Sequence, residues 1–363
     1  MNTYAEIDLE AIKRNIGEIR KLIPSSTKFM AVVKANAYGH GAPAVARAAI
    51  SAGADYLSTA NLKEAMELRE AGLIDPILIL TESPTSVMDE IVQYQLTQTV
   101  YSFSEAKALS DEAVKRHQTA KVHVKVDTGM GRVGVAPSEA AALIQKISSL
   151  PNLKIEGIFT HFARAEDHDD SFTKEQLNKF QQLLPKFPGI PLKHAANSAA
   201  TLYHPETHLD LVRVGLLMYG IFPHGGRHRP INLKPALSFK SRVVYIKKVP
   251  PGTPLSYGGI FKADKEASIA TLPVGYADGY SRRLSNRGKV LINGKRYPVV
   301  GRVTMDMVLV NVGEDRVNVG DEVVLIGTQG IESITADELA DLDDTISYEI
   351  ICGIGKRVPR IYK

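Results

Sequence analysis

Cysteine is nearly absent: Cys352 stands alone among 363 residues, so no internal disulfide can form, which fits a reducing compartment. No apolar run approaches the roughly 20 residues of a membrane span. Glu6, Asp8 and Glu10 precede any apolar stretch, which argues against a secretory leader and for a cytoplasmic protein. An excess of one charge is lacking too. The formal net charge is +4 and scattered, with no Lys/Arg cluster carrying interleaved aromatics. Neither nucleic acid nor a membrane is therefore an expected partner. No Gly-x-Gly-x-x-Gly opens a helix after the first strand-like run, which counts against a dinucleotide fold. What is present is an ordinary globular composition, 44% hydrophobic and 23% charged. The length suits one large domain plus a smaller one.

The first part of the chain alternates between two periodicities. Residues 4–7 read as a short strand, and Asp8 is a suitable N-cap for an amphipathic helix over 9–22, stopped by Pro24. Strands are predicted over 29–33, 56–60, 77–80, 97–101, 122–126, 155–160, 192–195 and 209–214. Between them lie helical patterns at 42–52, 61–71, 86–93, 104–117, 137–149 and 173–184, and a short one from Ser198. Eight strands separated by helices predict a closed (β/α)₈ TIM-like barrel, compact beside the ~250 residues typical of that fold. A doubly wound open sheet is the alternative.

Beyond residue 233 helical periodicity fades. Short apolar runs at 243–246, 268–271, 289–292, 307–311 and 322–326 alternate with Gly, Pro, Asn and Asp turns, and Asn293-Gly294 is a strong hairpin signal. Residues 1–233 are thus read as the barrel, with 1–7 open to assignment to the β part. Residues 234–363 are read as an all-β C-terminal domain, with Cys352 buried in the apolar Ile350-Ile-Cys-Gly run.

Chemistry concentrates in Lys28-Phe-Met-Ala-Val-Val-Lys34-Ala-Asn-Ala-Tyr38-Gly-His-Gly41. A buried strand ends at Lys34, where α/β folds place their reactive groups. Partial desolvation there would lower the ammonium pKa and make the amine nucleophilic. The plainer reading is a lysine reaching out of a strand end into water.

The run from Ala31 to Gly41 closely resembles the pyridoxal-phosphate (PLP) lysine motif of the alanine racemase family. Further motifs resemble the family in its own order: Val126-Asp-Thr-Gly-Met-Gly-Arg132, Thr160-His-Phe-Ala, Asn197-Ser198, Val212-Arg-Val-Gly215, Ser256-Tyr257-Gly, Gly275-Tyr-Ala-Asp-Gly279, Gly301-Arg-Val-Thr-Met-Asp306 and Tyr348-Glu. Singly these are short; in order they are specific.

The resemblance implies a PLP-dependent racemase of L- and D-alanine, an isomerase supplying D-alanine for peptidoglycan or acting in alanine catabolism. Lys34 resembles the lysine that carries the cofactor and acts as one of two bases. Tyr38, Ser198 and Tyr348 match the phosphate-binding hydroxyls, and Gly215 permits close backbone approach. Read without the family, Ser198 is also an N-cap and Tyr348 a surface tyrosine. Arg213 matches the residue facing the pyridine nitrogen and His161 the one orienting it. An arginine keeps its proton, so that nitrogen would stay unprotonated and the ring a mild electron sink. Without the resemblance, Arg213 could be an ion-pair residue and His161 a core histidine. Arg132, whose guanidinium suits a carboxylate, resembles the arginine near the substrate carboxylate and the cofactor's phenolic oxygen. The backbone N–H of Met305 is the second substrate donor. Lys125 stands where some members carry a carbamylated lysine, and an unmodified lysine is the alternative.

Racemisation needs acid/base groups on opposite faces of one carbon, and Tyr257 matches the second. In the family that tyrosine comes from the other subunit, so a homodimer with shared sites is implied. Tyr276 and Asp306 resemble entrance residues. Thr304, Leu216 and Arg164-Ala-Glu166 depart from the family's usual residues, which bears on substrate breadth. Two alternatives are an amino-acid decarboxylase of the same fold and a non-catalytic PLP-binding module. The first is expected to use a C-terminal catalytic cysteine in an acidic context, which Cys352 lacks. The second consists of the barrel alone.

Overall fold

The computed structural model describes residues 2–223, 228 and 230–363. The chain divides into two compact units. One takes Glu10–Ala37 and Ala42–Lys234; the other takes residues 2–9, Tyr38–Gly41 and Pro235–Lys363. Strand β1 (Tyr4–Ile7) thus belongs with the C-terminal strands.

The larger unit is a closed parallel barrel of eight strands. These are β2 (Lys28–Val32), β3 (Tyr56–Thr59), β4 (Ile77–Ile79), β5 (Thr97–Val100), β6 (Ala120–Lys125), β7 (Leu153–Phe159), β8 (Leu192–His194) and β9 (Leu211–Val214). Each pairs with the next in sequence, and β2 closes on β9 with Met30 opposite Arg213. Strands such as β2, β3, β4 and β9 are buried over nearly their whole length, as expected where both faces are covered. Met30, Tyr56, Leu78, Leu192 and Leu211 pack together as one buried cluster. Helices carry ordinary start signals, as in Phe103–Lys115, where Ser102 and Glu105 form a capping box.

The smaller unit is mainly β. Its remaining strands are β10 (Leu237–Arg242), β11 (Tyr245–Val249), β12 (Pro254–Leu255), β13 (Phe261–Lys262), β14 (Ala267–Leu272) and β15 (Lys289–Ile292). They continue as β16 (Lys295–Val300), β17 (Val308–Gly313), β18 (Glu322–Gln329), β19 (Glu332–Ile334) and β20 (Arg360–Tyr362). β1 lies between β10, antiparallel, and β20, parallel. Asn293 (φ 52°) and Gly294 (φ 77°) turn β15 into β16, with the positive φ at both residues that a type I′ turn requires.

Three details correct the sequence reading. The C-terminal part is not all β, because it contains helices Ala336–Asp343 and Ser347–Cys352. Thr335 caps the first by accepting from the Glu338 N–H at 3.0 Å; the second is six residues long, too short to show a period. The apolar run 243–246 is not one strand, since β10 ends at Arg242 and β11 begins at Tyr245. Cys352 is exposed, because Ile350 and Ile351 occupy the buried face of its short helix. Among the described residues no helix is long and apolar enough to cross a membrane.

After Lys34 the backbone winds the wrong way. Ala35, Asn36, Ala37 and Tyr38 have φ of 52–53° and Gly39 has φ 84°, a left-handed turn that costs L-residues roughly 1–2 kcal/mol each. Hydrogen bonds offset this cost: Ala37 N–H to Val33 O at 2.8 Å, Ala35 N–H to Glu64 Oε1 at 2.8 Å and Ala42 N–H to Asn36 Oδ1 at 2.9 Å. Ala35 is exposed, so its side chain tests the backbone alone. Ala35→Gly should leave the melting temperature unchanged or raised, whereas glycine in a right-handed helix costs about 1 kcal/mol. Ala35→Val should lower it. Thermal melts that rank Gly below Ala would contradict the left-handed turn.

Candidate active site

The C-terminal ends of the barrel strands gather most of the chemically distinctive side chains. Lys34 follows β2, Lys125 ends β6, Arg132 lies in the loop after β6, His161 follows β7, Ser198 starts the helix Ser198–Tyr203 after β8, and Arg213 and Gly215 stand at the end of β9. Asp127 shapes the loop that carries Arg132, its carboxylate accepting from the Gly129 and Gly131 N–H groups at 3.0 and 3.1 Å. Burial opposes ionisation of Asp127, but these and neighbouring backbone N–H groups outweigh it and hold its carboxyl low.

Arg213 is buried and has no carboxylate partner among the described residues. Its Nη2 donates to Thr160 O at 2.8 Å, Ala195 O at 2.9 Å and His161 Nδ1 at 3.2 Å, and its Nη1 donates to His194 Nδ1 at 2.9 Å. A guanidinium has five N–H donors; the Nε hydrogen and one on Nη1 remain outside these bonds. Burial pushes Arg213 down to about 9, so it stays protonated at neutral pH. Its carbon lies 5.1 Å from the Phe159 ring centroid, and the Lys125 ammonium lies 5.6 Å from the same centroid.

Positive charge accumulates here. Burial, then the charges of Arg132 and Arg213, push the Lys125 ammonium down to about 8; Lys34 adds to this and Asp127 opposes it. Burial and the same cations, Arg213 foremost, keep His161 well below its ordinary value and therefore neutral. Three cations acting on Lys125 at a strand-end mouth call for an anion. The Ser198 hydroxyl accepts from the Gly215 N–H at 2.9 Å, which leaves its own hydrogen to donate.

The other named residues lie in the second unit. Tyr38 and Tyr348 stand with ring centroids 5.9 Å apart. Tyr257 is 73% exposed and follows Ser256, whose φ of 62° and ψ of −176° suit almost only glycine. The Ser256 hydroxyl holds that turn by donating to Arg302 O at 2.7 Å. Tyr276 and Met305 are neighbours, joined through the Tyr276 N–H to Thr304 O and Ala277 N–H to Met305 O bonds, and both are exposed. Asp306 accepts from Arg357 at 2.8 Å.

Sequence reasoning overlooked His123, Phe159, Glu156 and His194, all of which surround Arg213 or its partners. Their one signal was position: polar or aromatic residues inside otherwise apolar barrel strands.

The alanine racemase N-terminal domain family matches residues 7–223, and the alanine racemase C-terminal domain family matches residues 236–362. A protein named alanine racemase from Halothermothrix orenii is 48% identical over 366 aligned positions, covering 99% of this chain and 97% of that one. The solved alanine racemase of Clostridium difficile 630 superposes with a TM-score of 0.96 at 37% identity, covering 100% of this chain and 96% of that one. A histidine racemase from Leuconostoc mesenteroides subsp. sake superposes at 0.92 with 31% identity, covering 100% and 98%. Two domain families in tandem and near-complete coverage of the relatives agree on one conclusion: the chain belongs to the alanine racemase family.

Proposed function

We propose that this chain interconverts L-alanine and D-alanine with pyridoxal 5′-phosphate as cofactor, working as a homodimer. The observation that carries the reading is the barrel mouth, where Arg132, Arg213 and Lys34 all act on Lys125 with Asp127 as the opposing charge. Such a mouth suits a phosphate and a carboxylate together. The more identical relatives carry the alanine name, which favours alanine over histidine.

The residues present fit the cofactor. Lys34 would hold it covalently; the Ser198 hydroxyl, with Tyr38 and Tyr348, would hold its phosphate, while Gly215 lets the backbone approach closely. Arg213, with donors to spare and no carboxylate beside it, would face the ring nitrogen as donor. When bound, the cofactor draws electrons from the substrate Cα and so acidifies its proton. Lys34 takes or returns that proton on one face, and Tyr257 of the partner does so on the other. Arg132 and the Met305 N–H orient the substrate carboxylate, while Tyr276 and Asp306 narrow the entrance. A dimer also suits the exposed Tyr257, Ile260, Tyr276, Met305 and Met307, a set of large apolar side chains that a partner would cover.

Lys125 is proposed to be carbamylated: its uncharged amine adds to carbon dioxide, releasing one proton and leaving a carbamate anion beside Arg132. A pKa near 8 leaves about a tenth of the amine uncharged at pH 7. The sign for stability follows. The value lies below the ordinary 10.5, so the unmodified ammonium destabilises the fold below pH 8, and the penalty fades as pH rises toward 10.5. Bicarbonate should therefore raise the melting temperature of the wild type at pH 7 and not that of Lys125→Met. ¹³C-labelled bicarbonate should give a carbamate carbon signal that Lys125→Met lacks; equal spectra would refute the modification.

Lys34→Ala should abolish both racemisation and the borohydride-fixed attachment of cofactor at this position, read by peptide mapping. Tyr257→Phe should retain cofactor but lose racemisation of alanine, followed by enantiomer ratio. Refolding these two variants together makes about half the dimers mixed, each with one site holding both intact residues, so activity should return to about a quarter of wild type. No recovery from demonstrably mixed dimers would refute the shared site and leave the racemase reading intact.

A further inference from the structure

A polar chain runs through the barrel interior from Arg213 to the opposite end. Arg213 Nη1 meets His194 Nδ1 at 2.9 Å, and His194 Nε2 meets His123 Nδ1 at 2.8 Å. His123 Nε2 then faces Glu156 Oε2 at 3.7 Å, an electrostatic contact and not a hydrogen bond, and Glu156 pairs with Lys121 at 2.9 Å. Both imidazoles are fully buried. Glu156 also acts on the Tyr56 hydroxyl, which desolvation first and this carboxylate second push up to about 12.

Donor–acceptor logic leaves each histidine one state. A guanidinium only donates, so His194 Nδ1 must accept and its proton must sit on Nε2. That hydrogen points at His123 Nδ1, which must accept in turn, and His123 therefore carries its proton on Nε2, toward the Glu156 carboxylate. Reversing either tautomer sets two donors against each other in a buried place, at about 1–3 kcal/mol per unsatisfied group. Protonating either adds a buried cation near Arg213; desolvation foremost, and that charge next, keep His194 uncharged. Burial also lowers His123, although Glu156 pulls against it.

The packing is built for this chain. Gly157 in β7 has no Cβ, and one placed there would lie 2.6 Å from His123 Nδ1. His194 stacks on Phe159 with centroids 4.7 Å apart and planes 7° apart, and the two imidazoles meet edge-on at 5.0 Å. Phe159 is the same ring that lies under Arg213. An apolar filling would give a barrel of similar or greater stability, so the polar chain asks for another role.

We propose that His194 and His123 are positioning residues for Arg213: a relay of fixed tautomers, ended by Glu156, locks the guanidinium in the orientation it presents at the barrel mouth. The functional half rests on the reading that Arg213 faces the cofactor's ring nitrogen; the tautomer half does not.

The test has two parts. First, ¹⁵N-histidine NMR of the purified protein at neutral pH should show both buried imidazoles neutral, with the proton on Nε2. A proton on Nδ1 of either ring, or an imidazolium, overturns the relay. Second, His194→Leu, which cannot accept from Arg213, is compared with His194→Asn, whose carboxamide oxygen can take the place of Nδ1. His194→Leu should lower kcat on the order of 10–100-fold, the scale of orienting contacts around a reactive group, with KM little changed. It should also shift the ¹⁵N signal of bound ring-labelled PLP. His194→Asn should restore both. If His194→Leu does not fold, His123→Leu leaves every Arg213 contact in place and must still move the ring-nitrogen signal. A wild type that binds PLP and racemises alanine, beside a folded variant with unchanged kcat and ring-nitrogen signal, overturns the relay alone. A wild type that binds no PLP overturns the proposed function, while the tautomer measurement still decides the relay.

Discussion

A guanidinium buried without a carboxylate constrains everything around it. Arg213 cannot give up its proton at neutral pH, so each donor it presents inside the barrel needs a neutral acceptor. Two backbone carbonyls and two imidazole nitrogens supply them. Histidine is suited to this because burial beside a cation keeps it uncharged while leaving one ring nitrogen free to accept. A carboxylate would neutralise the charge and remove the reason for an anionic ligand to enter. The chosen partners hold the group in place and leave its charge uncompensated. Lys125 feels the consequence directly, being pushed down to about 8 by burial and by Arg132 and Arg213.

Backbone strain stands beside both residues proposed as bases. The left-handed turn begins right after Lys34, and Ser256, with φ 62°, comes right before Tyr257. Local preference is overruled at both places and nearby hydrogen bonds hold the result, as expected where a side chain must be aimed. Around Lys34 the following glycines share the task. Gly39 has φ 84°, and a Cβ there would run into the Ile351 carbonyl. Gly39 of the lysine motif is thus explained by backbone packing as well as by any ligand.

Much of the fold was legible. All eight barrel strands were readable as short runs between helical periods, most of them rich in β-branched or apolar residues because both faces are covered, with His123, Glu156, His194 and Arg213 as polar exceptions. Asn293-Gly294 specified its hairpin for an equally local reason. The helices Ala336–Asp343 and Ser347–Cys352 escape a sequence reading because elements of eight and six residues in turn-rich surroundings show only about two periods or fewer, and Cys352 is exposed because an apolar neighbourhood in sequence is not a buried face. Of the candidate site, Lys34, Lys125, Arg132, His161, Ser198, Arg213 and Gly215 could be named from motif order, and each stands at or just after the C-terminal end of a barrel strand. His123, His194 and Glu156 belong to no such motif, and their polarity inside barrel strands was the one local mark they carried.

The amino-acid order alone therefore determined the alternation of elements, the turns, the chemical types available and the family they resemble. Those depend on interactions over a few residues, or on spacing that the chain carries wherever it goes. Tertiary structure decided which titratable groups share one buried volume, which nitrogen of each histidine must accept, and that the turn after Lys34 is left-handed. Desolvation and Coulomb interactions depend on distance through space and on exclusion of water. Glu156, His123, His194 and Arg213 come from four parallel strands, and only closing the barrel brings them into one line.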